Sequence, residues 1–145
     1  NKKGGGPMKI STRGRYALRL MLDLAVNDQG TYIPLKAVAE RQDISDKYLE
    51  QIIHQLSKAN FVVSARGAQG GYKLAKRPDE YTVGEILRTV EGSLAPVACL
   101  ECDTPCSRAE QCIAIGFYKK IQNAVDDVVN NTTLADMIND FNNKL

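Results

Sequence analysis

The sequence has one histidine and almost no net charge, +2 over 145 residues. It also has no apolar run approaching the ~18 consecutive residues that a membrane span requires. Each shortage removes a class of function. The lone histidine, His54, sits beside Ile52 and Ile53 with no second histidine, aspartate or cysteine at ligand spacing. Nor does any serine or cysteine stand out as its partner in a nucleophile–base pair, so an enzyme is not expected. Gly70-Gly71 is followed by neither the Lys-Ser/Thr of a phosphate loop nor a dinucleotide fingerprint, which leaves it as a turn. Asn1 to Met8 lack the apolar core of a signal peptide, so the expected location is cytoplasmic, with no membrane partner. Residues 1–7, including Gly4-Gly5-Gly6-Pro7, read as a flexible lead-in.

What is present fits a soluble globular chain: 43% hydrophobic and 25% charged residues. The length suits one domain, or a small domain with an appendage. Charge is unevenly placed. Lys2, Lys3, Lys9, Arg13, Arg15 and Arg19 lie in a front segment without acids, whereas Asp126, Asp127, Asp136 and Asp140 outnumber the bases at the rear. A basic front suits a part that meets a polyanion.

Apolar spacing predicts a helix over Thr12–Asn27, a second over Leu35–Gln42 opened by Pro34, and a third over Asp46–Ala59 capped by Ser45. Leu49, Ile52, Ile53 and Leu56 form the inner stripe of the third. Two short helices joined by a tight turn read as a helix-turn-helix. Phe61–Ala65 and Tyr72–Leu74 read as strands around the glycine-rich tip Arg66–Gly71, the pattern of a wing. Thr82 caps a fourth helix through Val90, with Gly84 inside it and Gly92 ending it. A loop from Ala95 to Cys112 follows. Phe117, Ile121, Ala124, Val125 and Val128 then mark one face of a long helix over about Ile113–Asn130, and Leu134–Phe141 reads as a last short helix.

The expected fold is mainly α with a small β-hairpin: a winged helix-turn-helix domain plus a long C-terminal dimerisation helix. The expected divisions are residues 8–92 for DNA binding, 93–112 for a cysteine-rich sensing loop, and 113–145 for the dimerisation helix and the short helix after it. The unpartnered face of the long helix calls for a second copy, because readers with this motif usually act as two-fold dimers on palindromic half-sites. In such a motif the third helix enters the major groove of double-stranded DNA. Its front carries Ser45, Asp46, Lys47, Tyr48, Glu50 and Gln51. Lys47 can reach guanine or phosphate, Gln51 can pair with adenine, and Glu50 can accept from a cytosine amine. Ser11, Thr12 and Arg13 suit phosphate contacts, and Arg66 suits a minor groove.

Four cysteines fall in fourteen residues, as Cys99-x2-Cys102-x3-Cys106-x5-Cys112. In a cytosolic protein such crowding points to a metal site rather than structural disulfides. Thiolates suit an iron–sulfur cluster or zinc; a redox-switched thiol pair and a metal-free loop are the other readings.

Met8–Ala17, Ile44-Ser45 through Tyr48–Gln51, and Arg66-Gly67 through Gly70–Leu74 together resemble the Rrf-two family of winged-helix transcriptional regulators, with similarity running from Met8 to about Ile138. The resemblance implies a homodimer joined through the long C-terminal helix, with DNA at Lys47, Tyr48, Glu50 and Arg66. It also implies three loop cysteines, matched by Cys99, Cys106 and Cys112, around a 2Fe–2S or 4Fe–4S cluster in cluster-binding members. The non-cysteine ligand of those members would fall at Ile115 or at Arg15, neither of which can serve, so Cys102 is the natural substitute, giving an all-cysteine site, or an exogenous ligand completes it. Cysteine-metabolism members work without a cluster, which implies control by thiol oxidation or a regulatory protein partner instead.

Overall fold

The computed structural model describes residues 10–95 and 112–144. Helix α1 (Thr12–Val26) begins where the Ser11 hydroxyl accepts from the Gly14 N–H at 3.2 Å, so one unpaired amide of the first turn is satisfied by the side chain. Ala17, Leu20, Met21 and Leu24 then recur at helical spacing and are buried. Helix α2 (Leu35–Gln42) follows Pro34, whose fixed φ leads into a first turn that needs no donor there. It closes at Asp43 in the left-handed region, with the Ile44 N–H reaching back to the Ala39 carbonyl at 3.1 Å. Ser45 caps helix α3 (Asp46–Lys58) through the Tyr48 N–H at 3.2 Å. That helix ends in the same way as α2, at left-handed Asn60, with the Phe61 N–H on the Leu56 carbonyl. Short polar Asx residues tolerate this conformation where others resist it.

Strands β1 (Val62–Ala65) and β2 (Gly71–Leu74) pair antiparallel, Val62 opposite Leu74 and Ala65 opposite Gly71. Tyr72 also exchanges two 2.8 Å backbone bonds with Ile33, so the segment between α1 and α2 acts as a third, one-residue strand. Gly71 makes this approach feasible: its φ is 147°, and a Cβ there would lie 2.3 Å from the Ile33 carbonyl oxygen. A 3₁₀ turn, Pro78–Glu80, leads to helix α4 (Val83–Glu91), which Thr82 and Glu85 open as a reciprocal capping box. Helices α5 (Ile115–Asn131) and α6 (Leu134–Asn143) complete the chain.

The observed class is the expected one: the described residues hold six α-helices and a two-stranded sheet. The main core gathers α1, α2, α3, α4, Val62 and Tyr81. It also takes Leu134 from α6, so the C-terminal segment is anchored in the body. The anchor is a backbone pairing. Val83 donates to Thr132 at 2.8 Å and Leu134 donates to Tyr81 at 3.1 Å, which sets the caps of α4 and α6, Thr82 and Thr133, opposite each other. Beside this junction Arg88 holds Asp126 at 2.8 Å and Asn130 at 2.6 Å. Along α5 only Val129 is buried. Phe117 and Val128 are both more than 60% exposed.

Candidate nucleic-acid interface

The turn from α2 to α3 is held from below by a buried carboxylate. Asp23, 2% exposed, accepts from Arg41 Nε and Nη2 at 3.0 and 2.7 Å and from Gln42 Nε2 at 3.0 Å. Three donors compensate the desolvation that an isolated buried charge would suffer. The hydrogen bond to Asp23 also raises the Arg41 guanidinium above its ordinary pKa. From α1, Arg19 reaches both the side-chain and main-chain oxygens of Gln42, at the last carbonyls of α2, where a cation also suits the helix dipole. The helix-turn-helix is therefore clamped by α1.

On that clamp α3 presents two faces. Leu49, Ile52, Ile53 and Leu56 point into the core. Asp46, Lys47, Glu50, Gln51 and His54 are exposed, with Ser45 at the front end. The sequence placed Lys47, Glu50 and Gln51 at a DNA-facing surface, and all three lie on one open helix face. Ser45 spends its hydroxyl on capping. Tyr48 is half-buried, its ring edge-on to Tyr16 at 5.3 Å, with the Arg19 guanidinium over the other ring at 5.3 Å. It fixes the front of α3 to α1 while leaving an edge accessible.

Ser11, Thr12 and Arg13 lie at the start of α1, and with Tyr48 they line an open groove of about 510 Å³ that also takes in Glu91. Arg13 is committed in part to α3: its Nη1 donates to Gln55 at 2.6 Å. The Thr12 hydroxyl accepts from Arg15 at 3.1 Å, and the Ser11 N–H donates to the Glu91 carboxylate. Sequence reasoning missed Glu91, which is 80 residues away and carries no local signal. Arg66 is exposed where the wing leaves β1, apart from this groove. Lys73 on β2 stacks its ammonium over Tyr32 at 4.7 Å.

Of the four cysteines, Cys99, Cys102 and Cys106 lie outside the described residues. Cys112 is half-buried three residues before α5 and has no disulfide partner among the described residues. Ile115 is the first residue of α5, and Arg15 is exposed and bonded to Thr12. Among the described residues no three His, Cys, Asp or Glu side chains cluster, and no helix is long and apolar enough to cross a membrane.

Comparison with known proteins gives this geometry a context. The profile of the Rrf2 family, described as an iron-dependent transcriptional regulator, matches residues 10–140. The HTH-type transcriptional regulator CymR of Bacillus subtilis is 41% identical over 130 residues, covering 90% of this chain and 89% of that one. The solved structure of CymR, the global cysteine regulator of B. subtilis, superposes with a TM-score of 0.74 at 40% identity over 89% of this chain and 95% of CymR. The structure of T. potens IscR superposes equally well, with a TM-score of 0.74 and 40% identity over 91% and 87% of the two chains. With a family match across nearly the whole fold, the chain belongs to the Rrf2 family of transcriptional regulators.

Proposed function

We propose that this protein is a sequence-specific regulator of transcription that binds double-stranded operator DNA as a homodimer. The observation that carries the reading is the exposed polar face of α3, with Lys47, Glu50 and Gln51 side by side on a helix clamped by α1 and flanked by the wing bearing Arg66. A helix seated this way delivers donors and acceptors to base edges, and Ser11, Thr12 and Arg13 supply backbone contacts. Phe117, Ile121, Ala124 and Val128 lie along α5 at i, i+4, i+7 and i+11, and none of them is buried. That seam suits a second copy of α5, as expected for a two-fold reader.

Selection of duplexes from a random library by the purified protein, followed by sizing of the complex, tests this. A recovered palindromic site bound by two protomers supports it. A monomer that recovers no sequence rules it out.

The proposed signal enters through Cys99, Cys102, Cys106 and Cys112. Cys112 offers a suitable sulfur donor, and neither Ile115 nor Arg15 can add a ligand, so an iron–sulfur cluster here would be held by the four cysteines, or by three of them and an exogenous ligand. Such a cluster supplies an oxygen- and redox-sensitive link between the four positions. A second reading, cluster-free control by thiol oxidation or a protein partner, draws support from the 41% identity to CymR. An anaerobic preparation with its iron and sulfide counted separates the two. Thiolate-to-iron absorption lost in Cys112→Ala favours the cluster; a colourless, iron-free protein favours thiol or partner control.

A further inference from the structure

The start of α1 already holds an anion, and the anion belongs to the protein. Glu91, the last residue of α4, places its carboxylate on the Ser11 N–H. The fit is close and shaped by sequence: a Cβ on Gly14 would lie 2.4 Å from Glu91 Oε1 and 2.7 Å from its carboxyl carbon, so any residue but glycine at 14 would push the carboxylate away. Gly14 is buried and Glu91 half-buried at the wall of the groove shared with Thr12, Arg13 and Tyr48. Free amides and the helix dipole make the first turn attractive to negative charge. In a DNA-bound regulator the negative charge arriving at this groove is a backbone phosphate.

We propose that Glu91 is an internal competitor for DNA phosphate, an autoinhibitory contact that occupies the amide and offsets the positive end of α1 until a phosphate displaces it. This rests on the DNA-binding reading. The contact brings the end of α4 onto the groove, and the chain from Ser93 onward leads into the segment that carries the cysteines. The strength with which the protein holds DNA is thus tied to where α4 ends.

The test uses the full-length protein and a 30-base-pair duplex of random sequence, with affinity followed by fluorescence anisotropy across a potassium chloride series. Glu91→Gln keeps an acceptor oxygen for Ser11 but removes the charge. Glu91→Ala removes both, and serves as a second variant should the amide pack poorly. Asp140→Asn makes the same charge change on an exposed part of α6 outside the groove. Both Glu91 variants are expected to bind about threefold or more tightly at low salt, with the gain shrinking as salt screens the lost repulsion, so that log affinity falls more steeply against log salt. Asp140→Asn should leave the slope unchanged. If the Glu91 variants match Asp140→Asn in slope and affinity, the inference falls while the DNA-binding reading stands. If neither the wild type nor the variants retain the duplex, both fall.

Discussion

Gly84 of α4 and Asn130 of α5 approach so closely that a Cβ on the glycine would lie 2.7 Å from Asn130 Oδ1 and 2.5 Å from Arg88 Nη1. The glycine is buried beneath a hydrogen bond, the 2.6 Å contact from Arg88 to Asn130, that links the winged body to the long helix. A mid-helix glycine costs about 1 kcal/mol against alanine, so its presence reflects this packing. Gly84→Ala should break the Arg88–Asn130 bond yet recover helix propensity, leaving the melting temperature within a few degrees. Gly84→Leu must displace Val129 as well and should cost about 1–3 kcal/mol. Paired thermal melts check this, and a Leu variant as stable as the wild type would contradict it.

The wing gives a sharper case. At Gly71 the neighbour a side chain would meet is the Ile33 backbone, which cannot swing aside as a side chain can. Gly71→Ala should cost about 1–3 kcal/mol from left-handed strain and lost pairing. Amide exchange should quicken at Ile33 and Tyr72 before it quickens in α1. Unchanged protection at those two amides would argue against the account.

Tyr81 is fully buried, donates to the Phe61 carbonyl at 2.6 Å and accepts from the Lys76 N–H at 2.9 Å. Burial raises its phenol above the ordinary value. A raised folded-state pKa means that the neutral phenol's contribution is complete below the unfolded value of about 10 and is lost as pH climbs through the folded one. Tyr81→Phe should lower stability by about 1–3 kcal/mol at neutral pH and flatten the alkaline loss. Denaturant melts at neutral pH and at pH near 11 measure both.

Lys47 and Arg66 are exposed on α3 and at the wing. Lys47→Ala is expected to lose about 1–3 kcal/mol on the selected operator if the side chain reads a base, with little change on random duplex. Arg66→Ala should lower affinity when the flanking minor groove is narrow and matter less on a wide one. Competition binding on operators with altered flanks distinguishes the two roles.

Local signals made much of this legible. Ser45 and Thr82 announced two helix starts because an N-cap works within its own turn, and the stripe of Leu49, Ile52, Ile53 and Leu56 named the buried side of α3. Chemistry acting across the chain left no such trace. The pairing of Ile33 with Tyr72, the seat of Glu91 on Ser11 and the junction of Thr132 with Val83 join residues far apart in sequence through backbone groups or a single carboxylate. The long helix, expected from Ile113 to Asn130, runs from Ile115 to Asn131; its N-cap, Ala114, offers no side-chain hydrogen bond to mark the start. Gly84 read as merely tolerated because the Val129 and Asn130 that crowd it come more than forty residues later.

The paired threonine caps have a mechanical consequence. The contacts described between α5 and α4, and the backbone junction that follows, fall between Val125 and Leu134, at one end of the long helix. The ten residues from Ile115 to Ala124 extend from that pivot, a rod of about 15 Å at 1.5 Å per residue. A tilt of about 10° at the pivot sweeps the far tip, beside Cys112, through about 3 Å. Read backwards, the rod has leverage: a small force at the cysteine end is delivered, multiplied, to the fulcrum where the body begins.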